Sequence, residues 1–242
     1  MIDKIYLKEL FKHIEITLNE NQLESFDKYA KLLVEWNEKI NLTAITEPKE
    51  VCEKHFLDSV MPFALIKGGL GTNEFMNKTI IDVGTGAGFP SCPLKIVDES
   101  LNLTLLDSLN KRIKFLESIS NELLLKATCI HGRAEELGNK SEYREKFDIA
   151  TARAVANLSD LCEYCLPLVK KGGYFIALKG SAGTEEANKA KSAIKTLGGM
   201  IQEIKEYTLP NGDGRTVIVI KKVSATPAKY PRNKGQMKKK PL

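Results

Sequence analysis

From residue 79 onward, short apolar runs alternate with amphipathic stretches, and that alternation leaves the chain very few folds. The runs fall at 79–83, 103–106, 128–131, 147–152, 174–178, 201–209 and 217–220. Helical patterns fill about 91–97, 110–125, 159–169 and 184–197. Strands that alternate with helices in this way pair in parallel, with helices covering both faces of the sheet. Only the loop Pro210-Asn211-Gly212-Asp213-Gly214 separates the last two runs, so they are expected to close the sheet as an antiparallel hairpin. The expected fold is a doubly wound, seven-stranded α/β sheet.

The chain has 242 residues, more than this sheet needs. Upstream, Leu23, Phe26, Tyr29, Ala30, Leu33 and Val34 recur at spacings of three and four, one face of an amphipathic helix with Trp36 at its end. A second helix follows Pro48, with Val51, Cys52, His55, Phe56, Ser59 and Val60 on one side. The expected organisation is a helical module over 1–70, the sheet domain over 71–223 and a basic, flexible tail over 224–242, where prolines and lysines lack periodicity.

Charge follows the same division. Residues 221–242 carry eight Lys and Arg and no Asp or Glu, leaving 28 basic against 31 acidic side chains in the rest. The net +5 is therefore a body of −3 with a basic arm, which suits an anionic partner or solubility alone. No stretch reaches the roughly 18 apolar residues of a membrane helix, and charges interrupt the N-terminal residues where a signal peptide would be apolar. Cys52, Cys92, Cys129, Cys162 and Cys165 are scattered and read as free thiols of a reducing cytosol. Cys162 and Cys165 have no second pair or nearby histidine to complete a zinc site. A cytoplasmic monomer without membrane contact or metal is expected.

The strongest local signal is Asp82-Val83-Gly84-Thr85-Gly86-Ala87-Gly88-Phe89-Pro90, where an apolar strand runs into a glycine-rich turn and then a helix. Gly84, Gly86 and Gly88 let backbone approach a ligand closely, and the helix start adds partial positive charge. Phe89 stands where a dinucleotide fingerprint would place its third glycine, which disfavours a nicotinamide-dependent dehydrogenase. The next strand ends in Asp107, at the place where an acid accepts ribose hydroxyls; a helix cap is the alternative. The third strand runs into Gly132-Arg133-Ala134-Glu135, which would lie beside an adenine if the first two elements bind an adenosyl group.

These segments resemble the bacterial small-subunit ribosomal RNA methyltransferase G family, also called glucose-inhibited division protein B. The likeness is carried by the glycine loop, Leu105-Leu106-Asp107-Ser108-Leu109-x-Lys111-Arg112-x-x-Phe115-Leu116, Arg133-Ala134-Glu135 and Arg153-Ala154-Val155-Ala156. It extends upstream through Trp36-Asn37-x-x-Ile40-Asn41-Leu42-Thr43 and His55-x-x-Asp58-Ser59, and downstream to Leu178-Lys179-Gly180 and Tyr230-Pro231-Arg232. Ser91 departs from it, standing where glycine is expected. The resemblance implies a Rossmann-like, class I S-adenosylmethionine methyltransferase fold plus the N-terminal helices. It implies S-adenosyl-L-methionine as cofactor and N7 of a guanosine in 16S ribosomal RNA as target.

By the same resemblance Gly84, Phe89, Ala134, Glu135 and Arg153 belong to the cofactor site, beside Gly86, Gly88 and Asp107 from the loop and strand argument. His55 and Asp58 become substrate-side candidates; without the resemblance they are only a local helical pair. Arg153 reads as a partner for the methionine carboxylate or an RNA phosphate, or as a surface arginine. Lys179 is a further candidate on the RNA side, whereas Trp36 reads as packing. Methylating an exocyclic amine requires a proton acceptor, but the turn after the fourth strand, Thr151-Ala152-Arg153-Ala154-Val155-Ala156, has no carboxylate. Guanine N7 already presents a lone pair, so no catalytic base is named.

The tail interleaves lysines with Pro227, Tyr230, Pro231 and Pro241, which suits phosphate contacts and base stacking, or solubility alone. Its deletion is then expected to spare cofactor binding. The partner that the resemblance implies is 16S ribosomal RNA, presented naked, in an assembly intermediate or in the small subunit. The rival readings are a methyltransferase acting on a small molecule or protein, and a noncatalytic RNA-binding protein.

Overall fold

The computed structural model describes residues 1–153 and 156–242; Ala154 and Val155, in the turn singled out above, lie outside the described residues. Helix α1 (Lys4–Lys12) starts where the Asp3 carboxylate accepts the Ile5 and Tyr6 N–H groups. Helix α2 (Glu20–Ile40) begins with a reciprocal Asn19–Gln22 capping box and stops at Asn41, whose φ of 50° is left-handed. Helix α3 (Pro48–Glu50) runs through a π-helical stretch, Val51–Leu57, into α4 (Asp58–Leu65).

The sheet then assembles from β1 (Thr79–Val83), β2 (Asn102–Asp107), β3 (Thr128–His131), β4 (Phe147–Arg153), β5 (Val169–Gly180), β6 (Gly199–Thr208) and β7 (Gly214–Lys222). Between and after them run α5 (Ser91–Val97), α6 (Asn110–Glu122), α7 (Ala134–Leu137), α8 (Leu158–Cys165), α9 (Gly183–Lys189), α10 (Lys191–Thr196) and α11 (Lys234–Lys239). Strand order is β3-β2-β1-β4-β5-β7-β6, with β7 antiparallel to both β5 and β6 and the other pairs parallel. The order reverses between β1 and β4, and a sheet of this kind binds ligands at the carboxyl ends beside that reversal.

Two cores flank the sheet. On one face Phe26, Phe56 and Phe63 of the N-terminal helices join Ile80, Leu105, Ile149 and Val219 of the strands in one cluster, with Leu94 and Phe115 from α5 and α6. Residues 1–70 thus pack as a layer of the sheet structure. On the other face Leu161, Cys162 and Cys165 of α8 join Ile194 of α10 and Phe175 and Ile218 of the strands. The helix expected over 159–169 ends at Cys165 because Pro167 cannot donate into a continuing helix. Trp36 packs edge-on against Phe115, centroids 5.7 Å apart.

The tail corrects an expectation. Instead of a flexible arm, residues 224–242 fold back onto α7, α8 and the segment that holds Arg144, burying Tyr230 and Met237 to 6% and 3% exposure. Between these two apolar anchors, seven residues apart, the Arg232–Glu163 ion pair holds the chain. Lys222, counted above with the basic arm, is instead fully buried in β7, pairs with Glu145 at 3.2 Å and has its pKa pushed down to about 8 by burial. Among the described residues no helix is long and apolar enough to cross a membrane, and no group of three potential metal ligands comes together.

Candidate functional site

The glycine loop folds as it does because the end of β2 holds it. Gly84 and Thr85 donate their N–H groups to the Leu106 carbonyl at 2.8 and 3.1 Å. Gly84, Gly86 and Gly88 have φ of 71°, 61° and 94°, the left-handed region where a side chain is strained. A Cβ at Gly88 would meet the Tyr29 hydroxyl at 2.6 Å and the Cys92 sulfur at 2.7 Å. At Gly86 it would meet nothing nearer than 4.0 Å, so this glycine presents bare backbone to open space.

Asp107, 2% exposed, ties the two strand ends together. Its Oδ2 accepts the Gly86 N–H at 3.0 Å and Arg112 at 3.3 Å, and its Oδ1 accepts the Leu109 N–H at 2.9 Å. A carboxylate has about four acceptor positions, so this pattern leaves room for one more donor. Beneath the loop, fully buried Asp82 accepts the Thr85 hydroxyl at 2.9 Å and the Ser91 N–H at 3.2 Å, both on Oδ2. Its Oδ1 has no partner among the described residues, and burial raises its pKa to about 7. Ser91, standing where the resemblance expects glycine, opens α5.

Phe89 sits at the centre of the N-terminal contacts. Its ring stacks on Tyr29 (5.4 Å, 17°) and on His55 (4.4 Å, 15°), and the Arg153 guanidinium lies over it at 4.9 Å. Arg153 donates to the Lys54 carbonyl at 3.2 Å, to Asp58 Oδ2 at 3.5 Å and to His55 Nδ1 at 3.4 Å. Because Nδ1 faces a donor, the His55 proton sits on Nε2, which donates to Thr43 Oγ1 at 2.9 Å. Burial and the adjacent Arg153 push the His55 pKa down to about 3, so the ring is neutral at physiological pH. Burial likewise lowers the Arg153 pKa, opposed by Asp58.

Asp58 gathers partners from across the chain. Arg215 on β7 directs Nε to both of its oxygens at 3.2 Å, and the Tyr207 hydroxyl on β6 donates at 3.4 Å. Sequence reading brought out Asp58 but neither Arg215 nor Tyr207, which carry no local motif and stand 157 and 149 residues away. Thr43 lay within a quoted motif, and its neighbours explain the turn: Asn37 Oδ1 accepts the Thr43 N–H at 2.8 Å. Lys179 is not brought into this cluster. Its ammonium pairs with Glu186 at 2.8 Å and donates to the Ala156 carbonyl at 2.7 Å, bracing the loop after β4.

Two cavities meet at Gly84, Asp107 and Ser108. One, about 370 Å³, is lined by Thr43, His55, Gly86, Phe89, Arg112 and Arg153. The other, about 140 Å³, is lined by Arg133, Ala134, Glu135, Tyr164 and Lys234, the last from the tail. Tail deletion would therefore remove part of the lining of this crevice. A larger recess of about 570 Å³ opens near Lys78, Asp148 and Lys171, at the amino ends of β1, β4 and β5, away from the loop. A continuous crevice along strand carboxyl ends, with bare backbone and a carboxylate at its middle, fits an extended ligand carrying a diol.

A family model described as rRNA small subunit methyltransferase G matches residues 22–213. The curated Ribosomal RNA small subunit methyltransferase G of Lactobacillus johnsonii is 50% identical over 248 residues, covering all of both chains. That of Desulforamulus reducens is 49% identical over 240 residues, 98% of each. Among solved structures, P. horikoshii TYW2 in complex with MeSAdo aligns over 69% of this chain and 61% of its own, with a TM-score of 0.51 and 13% identity. That last likeness is one of fold.

Proposed function

Because the chain belongs to the rRNA small subunit methyltransferase G family, we propose that it methylates N7 of a guanosine in 16S ribosomal RNA, with S-adenosylmethionine bound along the crevice. Its Rossmann-like sheet with an antiparallel last hairpin is the class I methyltransferase fold. The observation that carries the site is the bond from the Gly86 N–H to Asp107 Oδ2, which joins the glycine loop to the acid of the next strand.

The residues divide between two ends of the crevice. Gly84 and Gly86 offer backbone at the middle, while Gly88 seats the loop on Tyr29. Asp107 has an acceptor position left for a ribose hydroxyl, and Ala134 and Glu135 flank the adenine. Phe89 walls the other end, where Arg153 offers N–H groups to the methionine carboxylate. When bound, S-adenosylmethionine supplies a methyl group activated by its positive sulfur.

Among the described residues, neither Asp58 nor His55 is free to act as a base. Asp58 is held by Arg153, Arg215 and Tyr207, and the Nδ1 lone pair of neutral His55 faces Arg153. Guanine N7 needs no deprotonation to attack, so binding and orientation are the work left to the protein. His55 and Asp58 act as positioning residues beside the substrate, and Lys179 braces the neighbouring loop. The reading is of a monomeric cytoplasmic enzyme acting on the ribosomal RNA or its particle. The exposed tail lysines Lys238 and Lys240 supply phosphate contacts.

Small subunits from a strain lacking this modification, incubated with the protein and S-adenosylmethionine and digested to nucleosides, are expected to gain 7-methylguanosine by mass spectrometry. Methylation at a different atom would overturn the N7 reading. Calorimetric binding of NAD without S-adenosylmethionine would overturn the cofactor as well.

A further inference from the structure

The path of the tail places a lysine on the rim of the smaller cavity. Pro231 lies so close over Gly138 that a Cβ there would meet its Cγ at 2.8 Å. Gly138 ends α7, the helix whose first residues, Ala134 and Glu135, line that cavity. Asn139 ties the two segments, donating to the Glu135 carbonyl at 2.8 Å and to the Pro231 carbonyl at 3.0 Å. Arg144 holds four more carbonyls, those of Gly138 and Thr226 at 2.8 Å, of Tyr230 at 2.7 Å and of Pro227 at 3.3 Å.

A second anchor lies next to the cavity. Arg232 sets Nε on one Glu163 oxygen at 2.8 Å and a terminal nitrogen on the other at 2.6 Å, and its backbone N–H adds a bond at 2.8 Å. Glu163 is 1% exposed, and its neighbour Tyr164 lines the cavity. Two residues beyond Arg232, Lys234 opens α11 under an Asn233–Gln236 capping box and reaches the rim opposite Asp107 and Ala134. The segment is thus fixed to α7 and α8, the two elements that border this end of the crevice.

We propose that Lys234 is a cofactor-contacting residue, and that the C-terminal segment is a fixed wall on the adenosine side of the crevice. The proposal rests on the reading of that crevice as the S-adenosylmethionine site. An ammonium group has three donors and no acceptor, and a purine ring presents acceptor nitrogens, N7 among them. The remaining charged groups at this rim are Asp107, Glu135 and Arg133; Glu135 lies 3.9 Å from Arg133, and Asp107 is bonded to Arg112. Arg133 thus faces a carboxylate at this rim, and Lys234 is the cation that the C-terminal segment adds to it. It is also exposed, so replacing it removes a contact in the cavity without touching the core.

The test is calorimetric titration of S-adenosylhomocysteine into the full chain and its Lys234→Ala, Lys239→Ala and Asp107→Ala variants. Lys234→Ala is expected to weaken binding about tenfold, the scale of one charge-assisted hydrogen bond. Its ligand-free melting temperature should stay unchanged, and Lys239→Ala, further along the same helix, should bind as the native chain does. Native affinity in Lys234→Ala alongside weakened binding in Asp107→Ala overturns the wall and leaves the crevice reading standing. No binding by the native chain overturns both. Equal weakening by Lys239→Ala would show only a diffuse effect of charge, and would also overturn the specific contact.

Discussion

The hydroxyl of Tyr29 on α2 donates to the carbonyl of Ala87 at 2.6 Å, so a helix of the N-terminal layer supports the glycine loop from below. Its ring also stacks on Phe89, and Gly88 is small because Tyr29 occupies the space beneath it. The loop is therefore preorganised by a residue 58 positions earlier.

Tyr29→Phe keeps the stack but strips the bond from a buried carbonyl. The expected cost is about 1–3 kcal/mol of unfolding free energy, read by urea denaturation. Weaker cofactor binding should accompany it, because the loop loses its support. Unchanged stability would show that the carbonyl finds another donor.

Asp107→Ala removes an acceptor from Gly86, Leu109 and Arg112 together. Cofactor affinity should fall by about 1.5–3 kcal/mol, the scale of a hydrogen bond to a charged group. Calorimetry would detect this, and full affinity in the variant would reduce Asp107 to a local turn former.

Asp58→Ala leaves the guanidinium of buried Arg153 without its carboxylate. Breaking a buried pair on one side costs about 3–5 kcal/mol. A second change, Arg153→Leu, should recover part of that stability, because it removes the charge left alone. A double variant no more stable than Asp58→Ala would mean that Arg153 finds enough compensation elsewhere.

Asp82 gives stability a pH dependence of known sign. Burial raises its folded pKa from 3.8 to about 7, so the folded state binds this proton more tightly than the unfolded chain. Its contribution is complete below about pH 4 and is lost as pH rises through 7. His55 acts the opposite way: its folded pKa is depressed from 6.5 to about 3, so stability is lost as pH falls through that window. Urea midpoints of the ligand-free chain and of Asp82→Asn, compared from pH 5 to 8.5, should diverge toward alkaline pH in favour of the variant. Parallel curves would show that the Asp82 proton is not linked to folding.

Much of this site was legible because its chemistry is local. The three glycines, Asp107 and Ala134-Glu135 each follow the end of an apolar run, and a parallel sheet brings consecutive strand ends together. Asp58 was legible only as a motif residue, since nothing near it in sequence announces two arginines and a tyrosine. Lys179 was misleading for the converse reason. A lysine at a strand end looks available until Glu186, on the following helix, takes its charge.

The tail shows the same limit. Its composition reads as disorder because Tyr230 and Met237 are too few to give a period, and the buried acid that holds Arg232 stands 69 residues away. The amino-acid sequence by itself determined the α/β sheet, its closing hairpin and the positions of the glycine loop and Asp107, since periodicity and turn chemistry act over a few residues. Tertiary structure alone decided that Tyr29 supports the loop, that Asp58 is shared by Arg153 and Arg215, and that Lys234 borders the crevice. Those contacts depend on which distant surfaces meet when the two cores pack, and no short-range pattern encodes that meeting.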